Sequence, residues 1–136
     1  MLKKTIDYTD YNGTKRSDVF YFNLSKGELL ELEFDFGGFE QAVKKIVESE
    51  DTKQLFSIFK KIVLSSYGEK SQDGKRFVKS EELSRSFEES EAYSELMMSL
   101  VTDANAASDF VNGIVPSNIS DAATPTLTDV SNSTTN

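Results

Sequence analysis

Residues 80–95 hold six glutamates, Glu81, Glu82, Glu88, Glu89, Glu91 and Glu95, with Arg85 the lone cation among them. Paired carboxylates do acid–base work when one is buried and its pKa is raised. A run along the polar side of a helix reads instead as solvated surface. Asp7, Asp10 and Asp18 lie around one turn but lack the spacing and closing Glu of a calcium loop; they read as strand charges. Gly37-Gly38 lacks the Gly-Lys-Ser/Thr of a phosphate loop and reads as a helix break. Lys75, Arg76 and Lys79 with Phe77 between them have the basic-aromatic pattern of single-strand binders, yet the cluster is short and reads as a loop. No catalytic, metal-binding or cofactor-binding residue is assigned.

The composition points the same way. The 136 residues include no Cys and no His. Thiol nucleophiles, thiolate metal sites and disulfides are therefore excluded, and the commonest general base near neutral pH is missing. The net charge of −8 opposes binding to nucleic acid or to an anionic membrane surface. No stretch approaches the roughly 20 apolar residues of a membrane span, so a cytoplasmic protein is expected. A hydrophobic content of 38% suits one modest core.

The elements must then be read from pattern. Thr5–Tyr8 and Lys15–Phe22 flank Asn12-Gly13, a dipeptide suited to a tight hairpin turn. Val19, Phe20, Tyr21 and Phe22 make the second strand apolar on both faces. One face should pack on helices and the other on a neighbour or partner. Ser25 and Glu28 form a capping box ahead of a short helix with Leu29, Leu30, Leu32 and Phe34. Gly37-Gly38 should stop it. Phe39, Val43, Ile46 and Val47 restart the helical pattern, and Asp51-Thr52 caps the next helix. That helix carries Leu55, Phe56, Phe59, Ile62 and Val63, with Gly68 as its stop. Asp73-Gly74 marks a turn inside a small β excursion presenting Phe77 and Val78. Ser80 caps a helix with Leu83 and Phe87, whose spacing runs on through Tyr93, Leu96, Met97, Leu100 and Val101. Asp103 caps a last helix with Ala106, Ala107, Phe110 and Val111, ended by Gly113 and Pro116.

The fold class expected is α+β: a mainly α-helical single domain with an N-terminal β-hairpin. The hairpin covers about residues 3–24 and the helices about 25–113, within a globular body of residues 1–116. Residues 117–136, rich in Ser, Thr and Asn, read as a disordered tail with too little apolar surface to offset ordering entropy.

Met97-Met98 beside Leu96 and Leu100 makes a helix apolar on more than one face. It is either buried all round or open to varied partners. Ile114 and Val115 would stand exposed unless they dock on the body or on another subunit. Together with the doubly apolar hairpin, they point to self-association as a homo-oligomer.

The order and spacing of these segments resemble the tail assembly chaperones of long, flexible-tailed phages that infect Gram-positive bacteria. The resemblance runs over about residues 3–116. Its strings are Tyr11–Arg16, Asp18–Ser25 (Asp-Val-Phe-Tyr-Phe-Asn-Leu-Ser), Glu28–Glu33, Ser66–Phe77 and Phe87–Met97, with Asp103–Pro116 closing the body. It implies a non-enzymatic protein that binds the phage tape measure protein, recruits tail tube protein and is absent from the mature virion. It also implies work in the host cytoplasm and, in many such phages, a longer frameshifted form of the same protein. Candidate partner-binding residues are Phe20, Phe22, Met97, Met98, Phe110 and Ile114. The alternatives are a structural tail or head-completion component of the virion, an enzyme using the acidic helix, and a host-interaction protein.

Overall fold

The computed structural model describes residues 1–36, Lys44, Glu48 and 51–116, with only the backbone of residues 32–36. Strands β1 (Leu2–Thr9) and β2 (Lys15–Phe22) pair antiparallel from Leu2↔Phe22 to Thr9↔Lys15. Residues 10–14 join them, a longer connection than the two-residue turn suggested by Asn12-Gly13. The Asp10 carboxylate builds it, accepting the backbone N–H groups of Asn12 and Thr14, each at 2.9 Å. Gly13 supplies the left-handed residue, with φ of 81°.

Helix α1 (Lys26–Phe36) opens on the expected capping box. Ser25 Oγ accepts the Glu28 N–H at 3.2 Å, and Glu28 Oε1 accepts the Ser25 N–H at 2.9 Å. The helical restart expected at Phe39, Val43, Ile46 and Val47 lies outside the described residues, as does the expected tail 117–136.

Helix α2 (Thr52–Ser66) starts at Asp51, whose side chain accepts the Gln54 N–H at 3.2 Å. It buries Ile58, Phe59, Ile62 and Val63, while Phe56 points outward. The stop expected at Gly68 is not there. The helix ends at Ser66 and the chain passes directly into strand β3 (Tyr67–Lys70), with Gly68 inside it. The missing side chain serves close approach: a Cβ on Gly68 would lie 2.6 Å from the Val78 carbonyl oxygen and 2.7 Å from Phe77 Cε2. Strand β3 pairs with β2 at Tyr21↔Gly68 and Phe22↔Tyr67, and with β4 (Phe77–Val78) at Glu69↔Val78 and Lys70↔Phe77. The β excursion thus extends the hairpin into a four-stranded sheet of order β1-β2-β3-β4.

Three further helices follow: α3 (Glu81–Glu88), α4 (Glu91–Thr102) and α5 (Ala104–Ile114). The periodicity from Leu83 to Val101 suggests one helix, but Ser90 divides it. Its hydroxyl donates to the Phe87 carbonyl at 2.7 Å and accepts the Tyr93 N–H at 3.4 Å, closing α3 and capping α4. Helix α5 ends at Ile114, beside the expected stop at Gly113, which lies in its last turn. A Cβ there would lie 2.8 Å from Leu2 Cδ1, so its bareness lets β1 and α5 meet.

The sheet puts one face on the helices. Along β1 the pattern alternates, with Leu2, Lys4, Ile6 and Tyr8 turned inward and Lys3, Thr5, Asp7 and Thr9 exposed. At the centre is an aromatic cluster drawn from several elements. Tyr67 and Phe87 stack at 4.6 Å between centroids; Phe22 meets Phe110 at 5.2 Å and Phe87 at 5.6 Å. Such edge and offset contacts add to the area that the rings remove from water.

Candidate partner-binding surface

The six candidate contact residues divide sharply in the fold. Phe22, Met97, Phe110 and Ile114 are buried in the core of the single chain, so a partner approaching the folded surface does not reach them. Ile114 docks on the body: its carbonyl oxygen accepts the Leu24 N–H at 2.9 Å. Phe20 is half-buried, its ring 5.2 Å from Phe87 and 6.4 Å from Tyr8. Met98 alone of the six stands open to solvent, 61% exposed on α4.

Other apolar groups join it outside. Tyr11, Val19, Leu30 and Phe56 are exposed as well. Leu30 and Phe56 belong to runs that read as core stripes in the sequence. The signal that separates them is their place at the margin of the stripe, one step from Leu29 and Leu55.

A broad concavity lies between α1, α2 and α3, a groove of about 830 Å³. Leu64 supplies partly exposed apolar surface to it, with Leu24 wholly buried behind. Its rim alternates in charge, with Glu28, Glu31, Glu81 and Glu88 among Lys60, Lys61, Lys79 and Arg85. Lys60 approaches Glu88 at 3.2 Å, and Arg85 approaches Glu81 at 3.9 Å. Those exposed pairs contribute little to stability, about 0–1 kcal/mol each.

Lys79 is more deeply engaged. Its ammonium donates to Glu28 Oε1 and to the Asn23 carbonyl, each at 2.7 Å, tying the segment after β4 to the start of α1. Burial pushes the Glu28 carboxyl upward, but the Lys79 ammonium and the Ser25 N–H outweigh it and hold the pKa below its ordinary value. Lys79 therefore does not combine with Lys75 and Arg76 into an unpaired basic patch. On the outer sheet face, Lys70 lies over the Tyr21 ring at 4.9 Å.

Among the described residues, no carboxylate is buried beside another for acid–base work. Glu81, Glu82, Glu89 and Glu95 are not buried. Asp18 accepts the Tyr8 hydroxyl at 2.6 Å, which lowers its pKa and raises that of Tyr8. Among the described residues, no three acidic groups gather where a metal ion could be held. No described helix is long and apolar enough to cross a membrane.

No curated protein and no solved structure matches this chain. A family match does cover all of it, residues 1–136, and the family is described as phage tail assembly chaperone. The chain belongs to the phage tail assembly chaperone family.

Proposed function

We propose that this chaperone holds its phage's tape measure protein soluble in the host cytoplasm and hands it to polymerising tail tube protein. It then leaves, so the finished virion lacks it. The family match carries this reading. A tape measure is a long chain with repeated apolar helical stripes, prone to aggregate before assembly. An amphipathic helix fits a partly apolar groove, the mode in which a helical stripe lies between charged rims. The groove between α1, α2 and α3 offers that shape, with exposed Leu30 and Phe56 on two of the helices that form it. Met98 offers a second, adaptable contact. A net charge of −8 keeps a loaded complex dispersed. Several copies along one client give avidity from individually modest contacts. A longer frameshifted form would add a second function to the same body and bring the tube protein to the client.

The test is co-expression with the tape measure protein encoded by the same phage. The client should remain in the soluble fraction and co-purify with the chaperone. A tape measure equally soluble alone would overturn the proposal. Mass spectrometry of purified particles gives the second readout: stoichiometric copies in the virion would make the chain a structural component.

A further inference from the structure

Among the described residues, strand β1 is paired on one side only. It forms one edge of the four-stranded sheet, and its partner is β2 along its whole length. In an antiparallel ladder, alternate residues direct their backbone groups to opposite sides. The Asp10 N–H points to Thr14 across the hairpin, at 2.9 Å. Counting back in twos, Tyr8, Ile6, Lys4 and Leu2 bond to β2, while Lys3, Thr5, Asp7 and Thr9 turn their N–H and C=O groups outward. Among the described residues, no backbone or side-chain hydrogen bond meets those outward groups. Their side chains are exposed too. An eight-residue edge of this kind is a template for another strand.

The side chains on that edge decide which strand. Lys3 and Asp7 flank Thr5 symmetrically, two residues to either side. When two copies of β1 pair antiparallel about Thr5, Lys3 of each faces Asp7 of the other, and Thr5 faces Thr5. Outward residues then meet outward residues, so Lys3, Thr5 and Asp7 all exchange backbone hydrogen bonds. Moving the register by two residues, to centre on Ile6, puts Lys3 opposite Thr9 and Asp7 opposite Thr5, and both charge pairs are lost. Directly opposed opposite charges favour one register and like charges disfavour it. The edge is thus self-complementary in charge.

We infer that β1 is an isologous interface on which two copies of this chain join their sheets, with Lys3 and Asp7 setting the register. Helix α4 runs beside it. Glu95 borders a groove shared with Asp7, Tyr8 and Thr9, and Met98 lies one turn further along the same side of α4. A strand edge is a small interface, so the affinity expected is about micromolar. The inference is independent of the client.

Sedimentation velocity of the full chain across about 1–200 μM reads it directly. The wild type should pass from monomer to dimer. Lys3→Asp or Asp7→Lys alone should weaken the dimer about tenfold or more, because each turns two attractions into two repulsions. Lys3→Asp combined with Asp7→Lys should restore it. Thr5→Pro should abolish the dimer while the circular dichroism spectrum stays unchanged, since its N–H points outward and proline is tolerated at an edge. A wild type that stays monomeric throughout would overturn the inference, and Lys3 and Asp7 would then be guards of a protected edge. A dimer indifferent to the single reversals, or one that the double reversal fails to restore, overturns it equally.

Discussion

Met97 and Met98 are adjacent in the chain and opposite in the fold: Met97 is 2% exposed and Met98 is 61% exposed. Truncating each to alanine should separate packing from contact. Met97→Ala should cost about 2–5 kcal/mol of stability. Met98→Ala should stay within about 0.5 kcal/mol and reduce retention of the tape measure protein in the soluble fraction. Denaturant melts and the co-expression assay read the two effects. Equal stability losses would mean that α4 is rotated from the orientation described.

Glycine at position 68 is required by geometry and glycine at position 27 is not. A Cβ at Gly68 meets the backbone carbonyl of Val78 at 2.6 Å, whereas at Gly27 nothing lies within 4 Å. Gly68→Ala should therefore cost about 1–3 kcal/mol as β3 and β4 are forced apart. Gly27→Ala, in the first turn of α1, should raise stability by about 0.5 kcal/mol. Chemical denaturation of both variants checks the pair. A harmless Gly68→Ala would show that β4 moves aside freely.

Acid should loosen the join at the start of α1. The Glu28 pKa is lowered from 4.5 in the folded chain, so its stabilising contribution is complete above that value. It is lost as pH falls through the lowered pKa. The Asp10, Asp18 and Asp73 carboxyls are lowered from 3.8 and act in the same sense at lower pH. Glu28→Gln should be less stable than wild type at about pH 7, and the gap should narrow as the pH falls through the lowered Glu28 pKa. Denaturant midpoints across that range test the sign. A gap that widens on acidification would contradict the direction given.

Ser90 separates two helices that periodicity alone would join. Ser90→Ala should cost about 0.5–2 kcal/mol through loss of the α4 cap. Backbone NMR shifts should show position 90, extended in the wild type with φ of −91° and ψ of 155°, sampling helical geometry. Unchanged shifts and stability would mean that packing of Phe87 and Tyr93, not the hydroxyl, sets the break.

Much of this fold is legible in the sequence because caps and turns are local. Ser25 with Glu28, Asp51, Ser80 and Asp103 each cap the helix that their sequence announces, and Asp73-Gly74 turns the β excursion. The residues that sequence misplaces are those whose role depends on a distant partner. Gly68 looks like a helix stop until Val78 is placed against it, and nothing local to Gly113 announces its close approach to Leu2. The candidate contacts are illegible for the same reason. Phe22, Phe110 and Ile114 are aromatic or aliphatic on any reading, and only tertiary packing tells which large apolar groups remain outside.

The bond from Leu24 to Ile114 spans nearly the whole described body, joining the end of the hairpin to the last turn of the last described helix. Phe110 and Ile114, both buried, complete the core from that same helix. During translation the earlier elements therefore lack their final wall until α5 leaves the ribosome. Domains close as units once their last packing element is made. A nascent chain cut short before this helix would offer the apolar faces of β2 and α4 to its neighbours, and quality control would meet it as an aggregating fragment.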